Sequence, residues 1–525
     1  MRADAVTSER IGLVWLRAAV APVGAFGRRH DDTLAPYGPG DETRAGDEIA
    51  AVLALAERLD RDGVARLSAA LRAVPDPAPI LGRARAGDAL GDVDFYELGR
   101  LVDALDALAR AWDAAHGPAE ARPPTAEGLR AVLAPGREGA GFYLADAFAP
   151  GLHDARAALE RAEAVYEQRR EAIAARVRDV TGVDVTGEEF VVLRDVYEGP
   201  LPEGAFVVRE APTYRTAAIR LAAPDRDAAL ERLAAEEEAA RWVLAERIAR
   251  EADRVAAATR ELGALDRMLA RVAFAQRWDA CAPQFSETHL AFAEATFAPL
   301  ADALAARGHR YTPLSLELRG AAVLTGPNMG GKSAALATTG FLCACVALGV
   351  PPPARAATLP LLDAIVWIGG EGHEDRARLL SSYAAEVVRA RDALAVASPR
   401  TLLLVDEFAR TTGPREGRAL LVAFVEALRE RGASALVATH FDAVAEEARV
   451  PHLRIAGLRA TTLDAVRASD LDGALDAINA AMDYRIVDAH ERETDSDALA
   501  LARLLGLDPT VVDRAQSLHE RSTGR

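Results

Sequence analysis

The sequence predicts a mainly α-helical chain that ends in an α/β domain with a largely parallel sheet. Three observations carry that expectation. Half of the 525 residues are hydrophobic but only 5% are aromatic, and alanine and leucine dominate, a composition of helix formers with ample material for a core. The stretch from Ala223 to Phe274 holds no proline after Pro224 and reads as helix throughout. From Leu314 onward, short apolar runs alternate with helical patterns, the order expected of βα units.

Residues 1–46 read as irregular, with a turn at Ala35-Pro36-Tyr37-Gly38-Pro39-Gly40. Helices are expected at Asp47–Leu59, Asp62–Val74 and Asp94–His116, the last with Leu98, Leu101, Leu105 and Leu108 on one apolar stripe. Pro123-Pro124 and Pro135-Gly136 then interrupt the helical pattern, and a long charged helix runs from about Leu152 to Val180. Phe190–Arg194, Ala205–Arg209 and Thr213–Leu221 have the composition of short strands, enough for a small inserted sheet. The stretch Ala223–Phe274 exceeds a usual globular helix and predicts either a lever-like arm or a hairpin of two helices.

Beyond Leu314–Leu318, strands are expected at Val323–Thr325, Leu402–Val405 and Ala435–Ala438, with helices at Ser333–Leu348 and Glu416–Arg431. Ser496–Leu518 is helical, broken at Gly506-Leu507-Asp508-Pro509. The chain divides accordingly into an N-terminal helical core region (1–150), lever helices with inserted strands (151–310) and a C-terminal domain (311–525).

A formal charge of −17 argues against a strong non-specific grip on nucleic acid, which needs basic surface. Cys281, Cys343 and Cys345 show neither C-x-x-C pairing nor metal-ligand spacing. Glu9, Arg10 and Arg17 break up the apolar N-terminus, and no run approaches a membrane span, so a reduced, cytoplasmic protein without membrane contact is expected.

Within the α/β region, Gly326-Pro327-Asn328-Met329-Gly330-Gly331-Lys332-Ser333 matches G-x-x-x-x-G-K-[ST], a loop that cradles nucleotide phosphates between a buried strand and a helix N-terminus. Lys332 is the single lysine among 62 basic side chains. A compact ammonium on a flexible stem reaches phosphate oxygens where a planar guanidinium does not substitute for it. Thr401-Leu402-Leu403-Leu404-Val405-Asp406-Glu407 is a buried strand ending in two acids. In an ATPase site Asp406 would hold Mg²⁺ together with the Ser333 hydroxyl, and Glu407 would polarise the attacking water. Leu436-Val437-Ala438-Thr439-His440 is a third strand, whose His440 is expected near the γ-phosphate.

These blocks carry a family resemblance. Gly326 to Ser333 is similar to the phosphate loop of the MutS family of ABC-type ATPases, and the Asn-Met-Gly-Gly core makes it more specific than the bare pattern. Ser381-Ser382-Tyr383-Ala384-Ala385-Glu386 resembles the family signature S-T-F-M-x-E. Asp406-Glu407-Phe408-Ala409-Arg410-Thr411-Thr412 with Glu416-Gly417 resembles D-E-x-G-R-G-T…D-G, and Ala438-Thr439-His440-Phe441 resembles A-T-H-[YF]. Weaker similarity touches Val74-Pro75-Asp76 to Arg83, Leu265-Asp266 with Ala273-Phe274-Ala275, and Ser496 to Ala515.

The resemblance implies a C-terminal P-loop ATPase domain that uses ATP and Mg²⁺. It also implies a homodimer in which Ser381 reaches the nucleotide of the partner subunit. The core-like helices begin near residue 47, which leaves no room for the family's mismatch-reading domain, and the segment in the place of its DNA clamp is net acidic. Ala409 and Thr411 replace two glycines of the pattern, and Ser382 replaces threonine. Two clients stay open: double-stranded or branched DNA, in repair or recombination, and a protein, for an ATP-driven remodelling factor such as a reactivase of an adenosylcobalamin-dependent aminomutase.

Overall fold

The computed structural model describes residues 1–139, 141–181, 189–193, 204–211, 216–327, 331–369, 382–409, 413–458, 482–489, 499, 502 and 507–522. Two compact units divide the chain: residues 1–72, 111–122 and 263–525 form one, and 73–110 with 123–262 form the other. The mainly helical character with α/β content follows the expectation from composition and βα alternation.

In the first unit, a six-stranded sheet positions the candidate site. Its elements are β1 (Ala321–Thr325), α1 (Lys332–Ala347), β2 (Ala364–Gly369), α2 (Ser382–Val396), β3 (Thr401–Asp406), α3 (Pro414–Glu430), β4 (Ser434–Ala438), β5 (His452–Leu458) and β6 (Met482–Asp488). The strand order is β2-β3-β4-β1-β5-β6, parallel throughout except for the last pair. Both faces are covered, and the pleat sorts the side chains. Leu324, Leu402, Leu404 and Leu436 enter one core with Leu336, Phe341 and Val346 of α1. Val323, Leu403, Val405 and Val437 enter the other with Leu421, Phe424, Val425 and Leu428 of α3. Burial on both faces explains the unbroken apolar run of β3.

A smaller four-stranded sheet in the same unit orders Pro283–Phe285, Ala356–Leu359, Leu290–Ala295 and Leu314–Leu318. Only the last of these strands is legible in the sequence.

The N-terminal segment departs from expectation. Residues 1–46 are not irregular throughout: helices Ala5–Arg10, Leu13–Ala19 and Ala25–Asp32 occupy them, and a fourth begins at Glu42. Each of the first three is too short to show a helical period, and they form because Ile11, Leu16 and Val20 are buried in the α1 core. Asp266 fixes the third. Nearly inaccessible, its carboxylate accepts the Val23 N–H at 3.1 Å and the Gly24 N–H at 2.7 Å, at the start of helix Ala25–Asp32.

Asp266→Ala is therefore expected to leave two inward-facing donors unpaired and to lower stability by about 1–3 kcal/mol, read as a drop in thermal midpoint. Burial raises the Asp266 pKa above its ordinary value. A raised folded-state pKa means the group's contribution is complete below the usual carboxylate range and is lost as pH rises through the raised value. The Asp266→Ala deficit should accordingly shrink as pH rises through that window. A deficit that grows with pH would contradict the assignment.

In the second unit, the stripe Leu98, Leu101, Leu105 and Leu108 is fully buried, as its spacing predicts. The helix expected near 152–180 spans Pro150–Thr181, and the three strand-like stretches form an antiparallel sheet from Glu189–Leu193, Thr216–Leu221 and Ala205–Ala211, in that order. The alternative left open for Ala223–Phe274 is decided in favour of one helix, Pro224–Trp278, of 55 residues. No helix among the described residues is long and apolar enough to cross a membrane.

Candidate functional site

β1, β3 and β4 are adjacent and parallel, so their C-terminal ends open on one edge of the sheet. Thr325 and Asp406 end two of them, and Thr439-His440 follows the third, whose Thr439 N–H donates to Leu324 O at 3.1 Å. The short loop from β1 delivers Lys332 as the first residue of α1. Gly331 makes this entry with φ +90°, a left-handed conformation that a side chain disfavours.

Lys332 is almost fully buried, and its ammonium donates to Gly326 O at 2.9 Å and Pro327 O at 3.3 Å. Glu407 Oε1 lies 3.9 Å from the same nitrogen. Burial lowers the Lys332 pKa, opposed by the nearby Glu407 and Asp406 charges. The next residue, Ser333, donates its hydroxyl to Asp406 Oδ2 at 2.8 Å. Burial raises the Asp406 pKa against the lowering effect of that hydrogen bond.

Among the described residues no cluster of three or more His, Cys, Asp or Glu could hold a metal alone. One buried carboxylate beside one hydroxyl is instead a hard-oxygen pair of the kind that suits Mg²⁺, which takes the rest of its shell from water and substrate phosphates. The donor set thus fits the cation predicted from sequence.

After Asp406 the backbone turns sharply. Glu407 has φ +57° and Ala409 φ +63°, both left-handed without being glycine. Such conformations cost on the order of 1–2 kcal/mol per non-glycine residue. The left-handed backbone supplies the reason for the glycine that the resembling pattern carries at 409; here the methyl group is buried in the α3 core instead. The turn is held by Glu407 N–H donating to Ala438 O at 3.0 Å and Ala409 N–H donating to Glu386 Oε2 at 3.0 Å.

His440 is exposed beyond β4, its ring centroid 4.4 Å from that of Phe441. The structure thus brings Gly326, Pro327, Gly331, Lys332, Ser333, Asp406 and Glu407 together and sets His440 at the same edge. Asn328, Met329, Gly330 and Ser381 lie outside the described residues.

Two further residues at this edge were not singled out from the sequence. Gly369 ends β2 beside Asp406, where a Cβ would stand 2.0 Å from Asp406 O, so no larger residue fits. Tyr484 of β6 packs against Gly331, with Cδ1 3.2 Å from where a Cβ would stand. A glycine ending an apolar strand run was a readable signal for the first; nothing in the sequence pointed to the second.

A sheet covered on both faces, with a lysine, a hydroxyl and two carboxylates gathered at the carboxyl edge of its parallel strands, defines an α/β domain. Residues 322–522 match the family model described as MutS domain V. The endonuclease MutS2 of Anaeromyxobacter sp. (strain Fw109-5) is 32% identical over 220 residues, 41% of this chain and 25% of that protein. The DNA mismatch repair protein MutS of Granulibacter bethesdensis is 32% identical over 217 residues, 40% of this chain and 23% of that protein. Its namesake in Solibacter usitatus is 31% identical over 288 residues, 53% of this chain and 31% of that protein. The C-terminal part of the chain is thus similar to proteins of the MutS family, and the aligned stretches cover between about a quarter and a third of the length of these relatives.

Proposed function

We propose that this chain is a dimeric, ATP-hydrolysing, DNA-associated member of the MutS family without mismatch preference. The observation that carries the reading is the convergence of Lys332, Ser333, Asp406 and Glu407 at one sheet edge, with the lysine buried and turned into its own loop. The segment Gly326–Ser333, which in sequence includes Asn328, Met329 and Gly330, is read as the phosphate-binding loop, and the N-terminus of α1 favours the same charge. Lys332 exchanges its bonds to Gly326 O and Pro327 O for phosphate oxygens. Ser333 and Asp406 hold Mg²⁺, which when bound neutralises charge on the phosphates. Glu407 orients the attacking water and accepts its proton, and His440 stands by to sense the γ-phosphate.

Ser381 would come from the partner subunit, at the start of a helix suited to an anion, so that two nucleotides are completed across one isologous interface. ATP then favours the closed dimer and hydrolysis releases it, a ligand acting through differential affinity. DNA as client draws support from the relatives, which are named as an endonuclease and as DNA mismatch repair proteins. The net charge of −17 points to weak, salt-sensitive contact.

The test is turnover by the purified chain with Mg²⁺ and with EDTA, beside mobility shifts on matched and mismatched duplexes at several salt concentrations. Expected are metal-dependent hydrolysis and a shift that salt weakens and a mismatch does not strengthen. No hydrolysis would remove the enzymatic reading. A clear mismatch preference would restore a repair-type reader, and hydrolysis indifferent to every DNA would turn the search to a protein client.

A further inference from the structure

The N-terminal arm is built onto the edge of the catalytic sheet. Arg2 bridges Ala364 of β2 in parallel, with Arg2 N–H donating to Asp363 O at 2.7 Å and Ile365 N–H donating to Arg2 O at 3.0 Å. Further along the same edge, the buried Thr7 hydroxyl accepts the Trp367 N–H at 3.0 Å. Ile11 then turns inward: a Cβ placed on Gly340 of α1 would stand 2.5 Å from Ile11 Cγ2 and 2.9 Å from Leu404 Cδ1 of β3. Arm and strand therefore run in the same direction, toward the end of the sheet that carries Asp406.

Arg10 lies between these two anchors. It sits one helical turn beyond Thr7 on the same face, roughly 4.5 Å further along the helix at 1.5 Å per residue. The two residues from Trp367 to Gly369 advance β2 by roughly 6.6 Å. Arg10 thus comes alongside Gly369, whose β3 neighbour in register is Asp406. The strands are about 4.8 Å apart, within the span of a guanidinium side chain. At that separation the guanidinium and the Asp406 carboxylate attract each other electrostatically.

We infer that Arg10 is a positioning residue of the nucleotide site, a cation supplied in cis by the N-terminal arm that offsets the charge of Asp406 and Glu407 against an incoming triphosphate. The inference rests on the nucleotide reading above. Lys332 neutralises the site from within the loop and Arg10 does so from the β2 side. A bound divalent cation performs part of the same task, so Arg10 matters most when that cation is absent.

This predicts a split that a folding defect would not produce. Binding of a fluorescent ATP analogue is measured in EDTA and in Mg²⁺ for the parent chain, Arg10→Met, Arg10→Lys and Thr7→Val. Metal-free ATP carries about twice the charge of its Mg²⁺ complex, so Arg10→Met should weaken binding in EDTA on the order of five-fold and binding in Mg²⁺ markedly less. Arg10→Lys should stay near the parent in both. Thr7→Val, which loosens the arm without removing charge, should weaken both conditions together if it acts at all. Equal losses for Arg10→Met in EDTA and Mg²⁺, or no loss, would overturn the role of Arg10. A parent chain that binds no analogue in either condition would overturn the nucleotide reading itself.

Discussion

Lys332→Ala is expected to abolish measurable ATP binding, with a loss on the order of 100-fold or more, while the chain stays folded. The ammonium is held inside the loop, 2.9 Å from Gly326 O, and it faces both carboxylates of the site. Alanine removes it and leaves Asp406 and Glu407 to repel the phosphates. Lys332→Arg should fail nearly as completely. A rigid, planar group does not fit a nearly closed pocket shaped around a slender stem. The composition makes the same point, since arginine serves at every other basic position counted with it.

Burial also lowers the lysine's pKa, so ATP affinity should fall with rising pH earlier than an exposed lysine would allow, because phosphate binding needs the charged form. Isothermal titration of both variants, with circular dichroism as the check on folding, decides the matter. Binding by Lys332→Arg at parental strength would show that charge alone suffices and that the unique lysine carries no geometric requirement.

Much of this site was legible because its chemistry is compressed into contiguous runs. Gly326–Ser333 and Thr401–Glu407 each set polar residues at the end of an apolar strand, and a parallel sheet places such ends on one edge. The stripe at Leu98, Leu101, Leu105 and Leu108 was legible for the same local reason, a helical period within one element. What stayed hidden depends on contacts distant in sequence. Helix Ala5–Arg10 exists because Thr7 and Ile11 find partners at Trp367 and Gly340, and no window around residue 7 contains that information. Among the described residues, the strands near 283–295 and 356–359 pair with one another and with Leu314–Leu318, and short stretches with weak alternation gave no period to read. Asp266 falls within a stretch of family resemblance, but its role in holding Val23 and Gly24 belongs to tertiary structure alone.

Glu407→Gln is expected to bind ATP as tightly as the parent and to hydrolyse it ~100-fold more slowly or worse. The substitution keeps size and hydrogen-bonding capacity, so the turn after β3 should survive. Two backbone donors hold that turn, Glu407 N–H to Ala438 O and Ala409 N–H to Glu386 Oε2, and the substitution leaves both in place. The left-handed φ of +57° at Glu407 is a strained conformation that aims its side chain toward the Lys332 ammonium, 3.9 Å away, and glutamine inherits it. What glutamine lacks is basicity, so the attacking water should keep its proton and bound ATP should persist. Single-turnover hydrolysis beside equilibrium binding separates the two effects. If Glu407→Gln turns over normally, the proton goes elsewhere, and His440 at the end of the neighbouring strand is then the residue to replace. If binding and hydrolysis fall together, Glu407 acts mainly by holding Lys332 in place, and the variant should behave as a milder form of Lys332→Ala.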